Sequence, residues 1–250
     1  EARALFARAV ALTARGGCVV ACQSNNEGAR SGEADLRQLT GLAGSLTKHH
    51  CRTYWSGPLL GSTDAALQAR WAALDAPRKI LDGRFVSRPG VFAWDRIDAG
   101  SALLAQHLPV LKGKGADLGC GYGALATVIL RSPEVSSLKL VDLDRRAIQA
   151  ARRNIEDARA KVHWTDVRTL ATNGDYDFVV SNPPFHDGGA EDRRLGRAFI
   201  RKAAEMLRKG GVLWLVANRH LPYEAELNAA FARVRPVADQ GGYKVFEAVK

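Results

Sequence analysis

No run of apolar residues in the sequence approaches the ~20 that a membrane-spanning helix needs, and Glu1-Ala2-Arg3 does not open the charged-then-apolar layout of a signal peptide. A soluble, cytoplasmic protein is expected. Methionine is almost missing: Met206 is the only one and none starts the chain, so the sequence is expected to begin inside a longer natural chain, with any N-terminal domain incomplete. Cysteine is scarce as well. Cys18, Cys22, Cys51 and Cys120 cannot make a disulfide framework for 250 residues, and only Cys18 and Cys22 approach metal-ligand spacing, so reduced structural thiols and no metal site are expected.

Acidic residues are outnumbered, 26 against 36 Lys and Arg, which gives a net charge of +10. The excess is shared along the chain, with 10 basic against 6 acidic residues over 1–80 and 26 against 20 over 81–250. Basic surface gains affinity for phosphates by releasing their counterions, so a polyanionic partner is favoured. With 46% hydrophobic and 25% charged residues, the composition is that of a folded globular chain.

From about Gly115 onward, short apolar runs alternate with amphipathic stretches, the βαβ rhythm of a parallel sheet covered by helices. Strands are expected near 115–118, 138–142, 161–164, 176–181 and 212–217, with helices near 122–131, 145–157, 191–208 and 222–232. Closing strands near 234–238 and 243–249 are close enough to pair as a hairpin. The helix at 191–208 is expected to stop at Arg208-Lys209-Gly210-Gly211, with cations in its last turn and a glycine cap. Upstream, Leu5–Leu12 reads as a helix and Cys18-Val19-Val20-Ala21-Cys22 as a buried strand, so residues 1–78 also read as α/β, divided from 79–250 at Asp75-Ala76-Pro77-Arg78.

Asp117-Leu118-Gly119-Cys120-Gly121-Tyr122-Gly123 follows a strand and opens a helix, as a nucleotide-binding turn does. The glycines let the backbone pass close to a ligand. An acid stands first, where pyrophosphate-binding fingerprints do not usually place one; a carboxylate there suits the cationic amino group of a methionine moiety. Asp142, 19 residues after Gly123, can accept from both ribose hydroxyls. Asp166 could accept from an adenine amino group at the next strand edge. As alternatives, Asp166 caps a turn and Asp142 caps the helix that follows, although Asp144 is the better cap.

The apolar strand Asp177-Phe178-Val179-Val180-Ser181 runs into Asn182-Pro183-Pro184-Phe185, placing that box where open α/β sheets bind ligands. Proline holds Asn182 extended, and Pro183 and Pro184 bring no amide donors. Asn182 Oδ1 and the Pro183 carbonyl can then accept the two hydrogens of a planar exocyclic amine, and Phe185 can stack on an extruded base. Alone, the box could be a rigid turn. In order with the glycine turn and Asp142, it points to methyl transfer from S-adenosyl-L-methionine onto a planar nitrogen.

These residues resemble the class I methyltransferases. The longer run Ser181–Gly188, with Pro89–Ser101 and the pieces Val216-Ala217-Asn218 and Leu221-Pro222-Tyr223, is similar to the bacterial small-subunit ribosomal RNA guanine-N2 methyltransferases of the RsmC type. That resemblance implies a Rossmann-like, seven-stranded, mostly parallel sheet with an antiparallel last strand. It also implies that residues 1–78 are the latter part of a degenerate methyltransferase-like domain. Small-subunit ribosomal RNA, free or in the assembled subunit, becomes the implied substrate. Phe92, Asp98 and Gly100 would cover the cofactor, while Asp117, Gly119, Gly121, Asp142, Asp166 and Asn182 would line its pocket. The box also resembles that of adenine-N6 nucleic-acid and protein glutamine methyltransferases, and a non-catalytic RNA-binding or assembly protein on this fold is a further alternative. His186 reads as a loop residue rather than a base. Arg194, Arg197, Arg201 and Arg208 read as a solvated helix face more than an RNA-binding stripe.

Overall fold

The computed structural model describes residues 2–61, 63–184 and 190–250, without the side chains of 190–193. The chain divides into two compact units, Glu1–Pro77 and Arg78–Lys250.

The first unit contains α1 (Ala2–Leu12), β1 (Val20–Ser24), α2 (Ala29–Thr40), β2 (Gly44–Lys48), β3 (Cys51–Trp55) and α3 (Ala65–Ala73). Its strands form an antiparallel sheet in the order β1-β3-β2. The expected buried strand over 18–22 is corrected: the strand starts at Val20, Val19 is buried, and Val20, Cys18 and Cys22 are exposed. A small antiparallel sheet can leave one face in water, so a short apolar run need not be interior. Phe6, Val10, Leu36, Leu39, Tyr54 and Trp71 form its core. Phe6 meets Tyr54 edge to face at 6.1 Å.

The second unit begins with a hairpin, β4 (Arg78–Ile80) and β5 (Phe85–Ser87), and a helix α4 (Ala99–His107). Alternation follows: β6 (Gly113–Leu118), α5 (Ala124–Ile129), β7 (Val135–Asp142), α6 (Arg145–Asn154), β8 (Ala160–Trp164), β9 (Tyr176–Ser181), α7 (Ala190–Met206), β10 (Leu207–Asn218), α8 (Glu224–Ala230), β11 (Arg233–Gln240) and β12 (Tyr243–Val249). One sheet takes the order β11-β12-β10-β9-β6-β7-β8. Strands β8, β7, β6, β9 and β10 pair in parallel, and β12 pairs antiparallel with β10 and β11. This is the class I methyltransferase fold. Strand order reverses between β6 and β9, the switch point at whose carboxyl edge a ligand crevice opens.

Period-two alternation sorts the side chains between two helical layers. Leu118, Val179 and Leu215 face Phe199, Ile200 and Ala203 of α7, whereas Leu140, Phe178, Val180 and Val216 face Leu104, Ala126 and Ile148 of α4, α5 and α6. Gly115 lies opposite Phe178 in the register, and a Cβ there would stand 1.9 Å from the Phe178 ring. Gly115→Ala should therefore overpack the centre of the sheet and lower stability by roughly 1–3 kcal/mol. A urea midpoint equal to that of the wild type would contradict that packing.

The expected glycine cap after α7 is corrected. The helix stops at Met206 because Leu207 already pairs with Tyr176, and the register then jumps to Val212 opposite Phe178. Gly210, at φ +77°, donates to the Lys250 carbonyl at 2.8 Å, and Lys250 donates back to Gly211 at 3.0 Å. The two glycines thus shape an irregular strand entry held by the last residue of the chain. Three of the four arginines expected on this helix are held in ion pairs: Arg201 lies 2.5 Å and Arg197 3.9 Å from Glu226 of α8, and Arg208, in β10, lies 2.7 Å from Asp177. The solvated-face reading fits that arrangement.

Candidate active site

The turn after β6 forms because its glycines take left-handed conformations: φ is +77° at Gly119, +55° at Gly121 and +95° at Gly123, where an L side chain is strained. Each glycine also has its own surroundings. A Cβ on Gly119 would reach 3.6 Å from the Asn182 carbonyl, one on Gly123 would meet Ile155 at 3.0 Å, and one on Gly121 would meet nothing within 4 Å. At Gly119 it is thus the left-handed φ, not a lack of room, that favours glycine, and Gly121 faces open space.

The amides of this turn are turned inward. Gly119 and Cys120 donate to the Val141 carbonyl at 2.8 and 3.0 Å, Gly123 to Cys120 at 2.9 Å, and Gly121 to Asp142 Oδ2 at 2.9 Å. An anion-binding turn keeps such donors free for phosphate. Here the Gly121 amide is taken by the Asp142 carboxylate and the other three by backbone carbonyls.

Asp117, on the central strand β6, is fully buried, and neither of its carboxylate oxygens receives a hydrogen bond among the described residues. Burial, reinforced by the charge of Asp142, pushes its carboxyl up to about 7. Asp142 ends β7 and is raised by burial too, opposed by the amides of Asp144 and Gly121 that donate to it at 2.8 and 2.9 Å. Asp144, not Asp142, caps α6 by accepting from Arg146 N at 2.8 Å. Asp166 caps the short 3-10 turn Val167–Thr169 and is paired with Arg168 at 2.6 Å, which holds its carboxyl below the usual range. The turn-capping alternative for Asp166 is thus the geometry observed.

At the end of β9, Ser181 donates from its hydroxyl to the Leu118 carbonyl at 2.8 Å, locking β9 to β6 just before the box. Asn182 follows, half-buried, and Pro183 is buried. Asn182 Nδ2 donates to Asp98 Oδ2 and to Ser101 Oγ, each at 2.8 Å, leaving Oδ1 buried and with no donor among the described residues. Buried acceptors without partners are rare enough that each calls for an explanation. Phe185, like His186, Asp187 and Gly188, lies outside the described residues.

The segment before α4, expected to cover the cofactor, is tied down by residues that sequence reasoning missed. Asn154 on α6 exchanges hydrogen bonds with Val86, 2.7 Å to its amide and 2.9 Å to its carbonyl, and also donates to the Tyr122 carbonyl at 2.8 Å. Arg146 donates to the Gly90 carbonyl at 2.9 Å, just before the exposed Phe92. Asp98 is the N-cap of α4. Gly100 packs against β12, where a Cβ would stand 3.0 Å from the Tyr243 ring. Two apolar side chains at the same sheet edge also went unnoticed: Leu143 is 62% and Trp164 57% exposed, joined by a 2.8 Å bond from Trp164 Nε1 to the Leu143 carbonyl. An apolar Leu143 directly after Asp142 is the part of this that the sequence carried.

Among the described residues no cluster could hold a metal ion, and no helix is long and apolar enough to cross a membrane. Proteins called ribosomal RNA small subunit methyltransferase C are similar to this chain. That of Shewanella baltica is 34% identical over 202 residues, covering 79% of this chain and 57% of its own, and that of Shewanella loihica is 33% identical over 79% and 58%. The chain thus spans somewhat over half the length of these curated relatives. Among solved structures, the T. thermophilus 16S rRNA N2 guanine methyltransferase RsmC in complex with AdoMet and guanosine matches all of this chain and 70% of its own, with TM-score 0.78 and 28% identity. A Listeria monocytogenes S-adenosylmethionine dependent methyltransferase, at TM-score 0.50 and 15% identity over 61% of this chain and 98% of its own, shares the fold. Residues 82–247 match the methyltransferase small domain, and the chain belongs to that family.

Proposed function

We propose that this chain transfers a methyl group from S-adenosyl-L-methionine to the exocyclic N2 of a guanine in small-subunit ribosomal RNA. The observation that carries the reading is Asn182 Oδ1, a buried acceptor at the switch point without a donor among the described residues, together with Asp117 on the adjoining strand, whose oxygens also lack donors among them. The cofactor fits the residues present. Its ammonium would supply donors to Asp117, Asp142 would have lone pairs left for ribose hydroxyls, and a turn whose amides are already taken would suit a cation better than a phosphate. Gly119, Gly121 and Gly123 would form the cradle, Phe92, Asp98 and Gly100 would belong to its cover, and Asp166 would reach the base only by sharing its cap.

When bound, the cofactor supplies an electrophilic methyl group. The chain's part is positioning and charge. Asn182 Oδ1 accepts one N–H of the amine and the Pro183 carbonyl the other, which aims the nitrogen and strengthens both bonds as positive charge grows on it. No strong base is needed, because the methylated nitrogen is acidic enough to give its proton to water. Phe185 would stack on the base.

Guanine is favoured over adenine or glutamine by the relatives, which carry a small-subunit ribosomal RNA name, and by the guanosine bound to the T. thermophilus enzyme. The same likeness supports residues 1–78 as the latter part of a degenerate methyltransferase-like domain that contributes RNA affinity, and action in the cytoplasm on RNA or the assembled small subunit. Methyl-labelled cofactor offered separately with ribosomal RNA, small subunits, DNA and total protein should label only the first two. Label confined to DNA or protein would overturn the assignment.

A further inference from the structure

An asparagine can show either end of its amide to a substrate, and the end shown decides what it binds: Oδ1 takes an amine hydrogen, whereas Nδ2 gives one to a carbonyl or ring nitrogen. At Asn182 the choice is made by the start of α4. Its Nδ2 donates to Asp98 Oδ2 and Ser101 Oγ, both at 2.8 Å. The same Asp98 oxygen also accepts the Ser101 backbone N–H at 2.9 Å, because Asp98 caps the helix.

That shared oxygen fixes the polarity. A carboxylate oxygen only accepts, so it can face only a donor; turning the amide over would set Asn182 Oδ1 against it and remove the Nδ2 bond it receives beside that of Ser101 N. A serine hydroxyl alone would accept either orientation. Asp98 therefore sets which end faces outward, and Ser101 adds a second bond that holds it. Gly100 keeps the lock compact, since a Cβ there would come within 3.1 Å of Asp98 Oδ2 and 3.0 Å of the Tyr243 ring.

We propose that Asp98 and Ser101 are positioning residues that lock the Asn182 amide with its oxygen toward the target, so that the site selects an exocyclic amine over a carbonyl in the same place. The inference rests on the methyl-transfer reading of this site. It also gives Asp98 a duty toward the target nitrogen beyond covering the cofactor.

Ser101→Ala tests it without removing the helix cap. In the full chain, kcat should fall about tenfold, the size expected for one lost hydrogen bond to a positioned group. Cofactor Kd from calorimetry should stay within about twofold, and Ser101→Thr, which keeps the hydroxyl, should recover most of kcat. Independently of activity, the side-chain amide protons of Asn182 should shift and exchange faster with water in Ser101→Ala when followed by nitrogen-15 NMR. A wild-type kcat in Ser101→Ala, or a loss that falls on cofactor Kd instead, overturns the lock. If the wild-type chain transfers no methyl group to any acceptor, the functional reading fails, and the NMR result decides the lock by itself: unmoved Asn182 resonances overturn it.

Discussion

Asn182→Ala should reduce methyl transfer by roughly 10²–10³-fold, the range seen when one preorganised polar group facing developing charge is removed. The loss should appear in kcat. Alanine removes the buried Oδ1 acceptor but leaves the Ser181 bond to Leu118, the β6 turn, Asp117 and Asp142 in place. Cofactor Kd should therefore stay within about threefold. The substitution also leaves Asp98 with its α4 cap intact, so folding should change little. Turnover near the wild-type rate would remove Asn182 from the reaction, and a large change in cofactor Kd would mean that its role lies with the cofactor rather than with the target.

Asp117→Asn should separate stability from binding. In the ligand-free protein the folded-state carboxyl is raised to about 7 from an ordinary 3.8. The folded chain thus binds this proton more tightly than the unfolded chain does, so the linkage slope is negative. Stability from this group is full below the unfolded value, declines as pH rises, and is lost above about 7. At about 1.4 kcal/mol per unit, the loss amounts to a few kcal/mol. Asparagine carries no charge to bury, so ligand-free Asp117→Asn should melt at a higher temperature than wild type at pH 8 and close to it near pH 4.

Cofactor binding should show the opposite preference. An ammonium beside Asp117 favours the ionised carboxylate, so wild-type affinity should rise with pH through about 7, with a proton released on binding, and then level off. In Asp117→Asn, affinity should fall by about tenfold or more and lose that pH dependence. Calorimetry in buffers of different ionisation enthalpy measures both the affinity and the proton. Wild-type affinity that is flat between pH 6 and 8 would contradict a cation at Asp117.

Much of this fold was legible because its signals are local. Tyr176–Ser181 is a buried apolar run bounded by turns, and it is the observed strand. Asp144 reads as a cap because it stands directly before an amphipathic helix, and it caps that helix. The failures have distant causes. Leu207 looked helical until its pairing with Tyr176 is known, and Gly210-Gly211 looked like a helix cap although the partner is Lys250 at the end of the chain. Helix α4 went unread because Gly100 interrupts its apolar pattern, yet Asp98 before Ala99 was an available cap signal.

At the site, residue type and spacing singled out Asp117, the glycine turn, Asp142 and Asn182, since the chemistry demands those types at strand ends. How they are held was not legible. The Asp98–Asn182 bond spans 84 residues and the Asn154–Val86 pair 68, and nothing in either local sequence indicates its partner.

The central claim is tested most directly by identifying the methylated nucleoside. Small-subunit ribosomal RNA treated with the chain and methyl-labelled cofactor, digested to nucleosides and resolved by mass spectrometry, should carry the label in N2-methylguanosine. Label in N6-methyladenosine, or in a guanosine methylated on oxygen or a ring nitrogen, would contradict a site in which Asn182 Oδ1 holds the exocyclic amine of guanine.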